Sequence, residues 1–181
     1  MRPLYGKIAA LVIFGAYFLN AALKPHEWHL IDGVNLIFHE AGHFIFAVFP
    51  QQWIEIAGGS VMQVLVPLTV TVTLLLRRQA HAACLALLWT GQSLIDVSVY
   101  AADALKMQLP LIADGLIHDW NHLLWHFGAL RHTETIARSI HLSGLVVIGL
   151  GLLGGLLLSF ARRPETYRPA GTRDRGDTAE G

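Results

Sequence analysis

Apolar residues in this chain run in long blocks instead of the alternating or periodic spacing of a water-soluble core. The first block, residues 8–23, is IAALVIFGAYFLNAAL behind Arg2 and Lys7. It is close to one span in length, although a cleaved secretory signal also pairs a short basic start with an apolar stretch. The second, 31–49, lies between Trp28 and the pair Pro50 and Trp53, and tryptophans favour the headgroup level at both ends of a span. The third, 61–76, closes on Arg77 and Arg78 and is short enough either to cross or to re-enter. The fourth, 82–105, is long enough to cross but carries Gln92, Ser93, Asp96, Tyr100 and Asp103, and Pro110 forbids its simple continuation. The fifth, 140–160, holds five glycines. Gly151 and Gly155 form a GxxxG pair that permits close helix approach, or reflect the tolerance of glycine in lipid.

Between the last two blocks, residues 111–139 contain HDWNHLLWHFGALRH, which reads as an amphipathic helix lying on or dipping into the membrane. The tail 161–181 has almost nothing apolar to bury and is expected to be disordered. The pattern therefore predicts an all-α, polytopic integral membrane bundle, a single domain over 1–160. About five transmembrane or re-entrant helices and one interfacial helix make it up. If all five blocks cross, Arg2, Lys7, Lys106, Arg131 and Arg138 fall on one side and Lys24, Arg77, Arg78, Arg162 and Arg163 on the other. That is a tie under the positive-inside rule, which Arg168, Arg173 and Arg175 of the tail break only weakly.

Composition narrows the function. The chain is 54% hydrophobic and 14% charged, against roughly 25% charged in soluble domains, which excludes an ordinary water-soluble enzyme. Thirteen basic residues balance thirteen acidic ones, so no excess positive charge exists to neutralise a nucleic-acid backbone. The single cysteine, Cys84, gives neither an internal disulfide nor a cysteine-based zinc site.

The chemistry sits in the second block, where His39-Glu40-Ala41-Gly42-His43 is an HExxH sequence. On a helix the two histidines project from one face about a turn apart, which lets two imidazoles grip one zinc ion. Glu40 beside them is placed to take a proton from a water whose acidity the metal raises, and later to hand it to a leaving amine. Ionisable groups inside an apolar span cost several kcal/mol each and are rarely kept without a partner or a task. The bland reading is a Glu and His pair hydrogen-bonded to neighbouring helices. A catalytic zinc site needs a third protein ligand. His118 and Asp119 are the first candidates, followed by Asp103, Asp96 and Asp114. Gln92, Asp96, Tyr100 and Asp103 share a helical face, either as an interior polar stripe lining a hydrated path to the motif or as interhelical hydrogen bonding. His118, His122 and His126 recur every four residues, a pattern of the wet side of an interfacial helix more than of a second metal site.

HEAGH embedded in a membrane span resembles the site-2 protease family of intramembrane zinc metalloproteases. The resemblance covers the second block clearly and the rest loosely. It implies that His39 and His43 bind zinc, that Glu40 is the general base and that the third ligand is an aspartate on a later helix. In the family that aspartate stands in an Asn-Pro-Asp-Gly or Leu-Asp-Gly context. Leu109-Pro110 followed by Asp114-Gly115 echoes it faintly, and His118-Asp119 is an equal candidate. Gly58-Gly59-Ser60 resembles the glycine-containing turn that helps place an extended substrate strand in relatives, and is otherwise an ordinary loop. The chain has no room for the PDZ domain of many members, so the resemblance is to a minimal, divergent one.

The function expected on these grounds is that of an intramembrane zinc endopeptidase in the cell (inner) membrane of a bacterium. Its partners would be the lipid bilayer and a peptide or membrane-protein substrate, with no nucleic acid. The competing classes are a non-enzymatic membrane protein using a metal, or haem between histidines, for structure, transport or electron transfer, and a histidine-bearing scaffold without metal.

Overall fold

The computed structural model describes residues 5–110 and 117–160. Every regular element in them is helical: α1 Tyr5–Leu23, α2 Leu30–Phe46, α3 Gln52–Leu76, α4 Ala80–Ala102, α5 Asp119–His126, a 3₁₀ turn at Leu130–His132, and α6 Thr133–Phe160. Four helices are long and apolar enough to cross a membrane: α1, α3, α4 and α6, the last counted with its preceding turn. The helical bundle is as the hydrophobic blocks predict.

Three block boundaries differ: the fifth block belongs to α6, which starts at Thr133 inside the stretch expected to be interfacial and leaves only Asp119–His126 as a short separate helix, and the other two bear on the site. The third block is the second half of a 25-residue helix that starts at Gln52, and this is a full crossing length. Its start was hidden because Gln51, Gln52 and Glu55 interrupt the apolar run, and because Gly58-Gly59-Ser60 reads as a turn. These three residues are helical. The second block is a 17-residue helix, about 25 Å long at 1.5 Å per residue and shorter than the roughly 30 Å hydrocarbon core.

The contacts place both ends of α2 toward the same end of the bundle. Lys7 Nζ donates to the Leu158 carbonyl and His81 Nε2 pairs with Ser159 Oγ, so α1 begins, α4 begins and α6 ends at one end of the bundle, here the far end. Three residues join α3 to α4, and α3 runs antiparallel to α4, with Gln63 against Asp96 and Thr71 against Thr90. Hence α1 finishes and α3 starts at the opposite, near end. The start of α2 lies alongside α1, where the Ile31 N–H donates to Tyr17 Oη and Asn20 pairs with His29. It then climbs past Gln92 and Asp96 to the first turns of α3. Both ends of α2 therefore lie toward the near end of the bundle, the arrangement of a re-entrant helix.

This parity corrects the charge partition. Lys7 joins Arg77 and Arg78 at the far end, and Lys24 joins Lys106, Arg131 and Arg138 at the near end. Lys7 and Lys24 exchange sides because only α1 precedes the helix that fails to cross. Arg2, Arg162 and Arg163, and the tail 161–181, lie outside the described residues.

Between apolar helices in lipid, association rests on close van der Waals packing, and small residues provide it here. A Cβ on Gly91 would lie 2.8 Å from the Gly144 carbonyl, one on Gly151 2.9 Å from the Cys84 carbonyl, and one on Gly155 2.7 Å from Leu11. The GxxxG pair is thus a packing face of α6 against α4 and α1. Phe18, Ala22, Leu88, Ile95 and Ile148 form the buried cluster between these helices. α5 is short and joins the bundle at the near end, its Leu123 and Leu124 buried.

Candidate metal centre

His39 and His43 stand one turn apart on α2, with Gly42 between them turned to α3. A Cβ on Gly42 would strike the Gly58 carbonyl, and one on Gly58 would lie 2.6 Å from the Phe46 Cβ. Two glycines facing each other bring the helices close enough for α3 to reach both imidazoles. His39 Nδ1 is 3.1 Å from Gln63 Oε1, and His43 Nδ1 is 3.0 Å from the Glu55 carbonyl oxygen. The Gln63 amide is oriented in turn by Asp96, whose Oδ2 accepts from Gln63 Nε2 at 2.7 Å. With an amide oxygen and a backbone carbonyl as partners, each Nδ1 keeps its proton and donates, which leaves the Nε2 lone pairs free.

Those lone pairs face Asp119. Its Oδ2 is 2.8 Å from His39 Nε2 and 3.1 Å from His43 Nε2. Three contacts deliver it from α5: the Asp119 N–H donates to Tyr100 Oη at 3.1 Å, Trp120 Nε1 to Ser60 Oγ at 3.1 Å, and Asn121 Nδ2 to the Ala104 carbonyl at 2.8 Å.

A buried carboxylate against two nitrogen lone pairs requires positive charge between them, as protons or as a cation. The donor atoms of His39, His43 and Asp119 all lie within 4.8 Å of one another, so the group could hold a metal ion. Two imidazoles and one carboxylate are a zinc donor set. Bonds of about 2.0–2.1 Å in a tetrahedron separate donors by roughly 3.3 Å, slightly more than the 2.8 and 3.1 Å from Asp119 Oδ2 to the two Nε2 atoms. Gly59 keeps the space clear, since a Cβ there would lie 2.6 Å from His43 Nε2 and 2.7 Å from His39 Nε2. Gln63→Leu, which preserves bulk but removes the acceptor, is expected to weaken zinc binding about 10–100-fold, the usual cost of losing an outer partner of a ligating histidine. Competition with a chromophoric chelator measures it, and unchanged affinity would mean that Gln63 does not fix the His39 tautomer.

The other sequence candidates are placed elsewhere. His118 caps α5: its Nδ1 accepts from the Asn121 N–H at 3.3 Å, so its proton is on Nε2 and faces Asp103 Oδ2 at 3.3 Å. It has no lone pair left for a metal, and consecutive positions 118 and 119 point to different partners. Asp103, just past the end of α4, accepts from the Gln108 and Leu109 N–H groups as well as from His118. Burial raises its carboxyl, and these donors more than offset that, leaving it lowered. It shapes the turn leading toward α5 and is not a ligand. Asp96 serves Gln63 and Asn35, one shell removed from the imidazoles, and Asp114 lies outside the described residues. The expected histidine stripe is not one surface: His118 is buried while His126 is exposed and stacks on Trp53. Among the described residues His39, His43 and Asp119 form the one such cluster.

A cavity of about 700 Å³ opens beside the cluster, lined by Glu40, Glu55, Asp96 and Tyr100 among polar groups and by Leu36, Ile56 and Leu109 among apolar ones. Glu40 is exposed to it. Of the expected polar stripe, Asp96 and Tyr100 line this cavity. Gln92 is instead buried in a hydrogen-bonded chain with Asn35 and Asp32, which also takes in Trp89 and Ser93. Asp96 is six residues from the end of α4, so the cluster lies about 9 Å inside the near end. Gln63 and Asn35 were not among the sequence candidates, and Gly59 was named only as part of a substrate-placing turn. Gln63 had a visible signal, a lone amide in the apolar run VMQVLVP, whereas nothing local marked Gly59 as facing the two imidazoles.

No family model, curated protein or solved structure matches this chain. Fold and site together define a helical protein with four helices of membrane-crossing length and a buried His-His-Asp cluster able to hold a metal ion.

Proposed function

We propose that the protein is an intramembrane zinc metalloendopeptidase, resembling the site-2 protease family, that hydrolyses peptide bonds of membrane-embedded or membrane-associated substrates in a bacterial cell membrane. The observation that carries this reading is the meeting of the HExxH imidazoles with a carboxylate from a separate helix, each Nδ1 proton turned away on its own acceptor. When bound there, zinc supplies Lewis acidity toward a carbonyl oxygen and makes water a stronger acid. His39, His43 and Asp119 would hold it. Glu40, adjacent to His39 and exposed to the same cavity, takes the proton of the attacking water and returns it to the departing amine. The substrate must present an extended stretch, because a helix hides its amides in its own hydrogen bonds. A cavity of about 700 Å³ is within the range of about 300–1,000 Å³ common for ligand sites, and its carboxylates keep a wet wall facing its apolar one.

The test is elemental analysis and cleavage on one preparation of the purified protein. The expected result is about one zinc per chain, with cleavage of a membrane peptide that a strong chelator abolishes and added zinc restores. Cleavage that survives complete metal removal overturns the proposal, as does a haem absorption band with no zinc.

A further inference from the structure

A second cavity, of about 620 Å³, lies at the near end away from the metal cluster, between the α1–α2 connection, the last turns of α4 and the first turns of α6. Lys106, Arg138, His26 and His141 line it, against a single carboxylate, Glu134. Neither Lys106 nor Arg138 forms an ion pair among the described residues, where Lys24 takes Glu27 and every other carboxylate pair involves histidine. His141 spends Nδ1 on Ser98 Oγ at 3.2 Å and has no other hydrogen bond among the described residues. Two cations without an ion-pair partner among the described residues, facing one carboxylate across a concavity, are complementary to an anion, and the position of this one selects which. It sits where α4 ends and α6 begins, two helices of membrane-crossing length whose ends meet the headgroups when they span.

Directly below it along α6, Leu142, Val146 and Leu150 are each more than half exposed and are spaced to form one continuous apolar track. Phosphate-bearing chemistry at the top and an uncovered hydrocarbon face beneath match the two halves of one molecule.

We infer that this cavity binds the headgroup of an anionic phospholipid, with Lys106 and Arg138 on its phosphate and the acyl chains along the exposed face of α6. The inference is independent of the proposed peptidase activity. A basic residue near a membrane surface favours anionic lipid by about fivefold, so two give roughly 25-fold if they act together.

Native mass spectrometry of the full-length protein in detergent tests this, with phosphatidylglycerol and phosphatidylcholine of identical chains supplied at equal concentration. The wild type is expected to retain one phosphatidylglycerol in preference to phosphatidylcholine. K106Q/R138Q is expected to lose most of that preference, while R131Q, at the same end but outside the cavity, keeps it. Glycerol 3-phosphate, the headgroup chemistry without chains, is expected not to displace the lipid. Equal retention of the two lipids by the wild type overturns the inference whether or not the double variant folds. Displacement by glycerol 3-phosphate overturns it in favour of a soluble anion, and an unchanged preference in K106Q/R138Q overturns the assignment to this cavity.

Discussion

Glu40→Gln is expected to bind zinc as the wild type does and to cleave its substrate at least about 10²–10⁴-fold more slowly, the usual contribution of a positioned general base. The separation of the two readouts follows from the geometry. Glu40 is not one of the three residues whose donor atoms converge, and it makes no hydrogen bond to them. An amide of the same shape leaves the imidazoles, Gln63, Glu55 and Asp119 where they are. What it removes is the only acceptor in the cavity that the HExxH spacing puts beside both histidines. Elemental analysis and initial rates on the same preparation check the expectation, and a variant that still cleaves at the wild-type rate would remove the peptidase reading while leaving the metal cluster intact.

The second large effect is expected from a methyl group. Gly59→Ala should abolish high-affinity zinc binding, by more than the 10–100-fold expected of an outer-partner loss such as Gln63→Leu. The added Cβ would stand 2.6 and 2.7 Å from the two Nε2 atoms, in the space where they converge and where an ion would lie. Local helix propensity runs the other way, since alanine is favoured over glycine by about 1 kcal/mol in a helix interior. The substitution should therefore leave helix content unchanged in circular dichroism while it empties the site. Isothermal titration with zinc measures the loss. A variant binding zinc as tightly as wild type would show that the neighbouring groups yield at no cost, and that Gly59 does not keep the site clear.

The chain reports its own solvent and much of its chemistry. Apolar blocks with few charges can satisfy their backbone in lipid only as helices, so the helical bundle is legible from composition and block length. His39, Glu40 and His43 are legible because their relation is local, one helical turn on one face. Asp119 could be brought only to a shortlist. It lies 80 residues from His39, and nothing in the sequence separates it from His118, which competes at the neighbouring position. The tautomer that disqualifies His118 depends on a backbone N–H at Asn121 and a carboxylate at Asp103, partners that exist only once α5 has docked. Gly58-Gly59-Ser60 misleads in the same way: three small residues in succession signal a turn when read locally, and they are helical because a facing glycine on α2 lets two helices close around the cluster.

The sequence by itself determined the class of solvent, the helical architecture and a pair of imidazoles with a neighbouring carboxylate, because each of these is written in spacings of a few residues. Only the tertiary structure decided that both ends of α2 lie toward one end of the bundle, that Asp119 and not its neighbour closes the cluster, and that an amide and a carbonyl hold the imidazole protons away from it. Those outcomes depend on which helix faces meet across 12 to 80 residues of chain, and close packing between apolar helices is set by shapes that have no local signature.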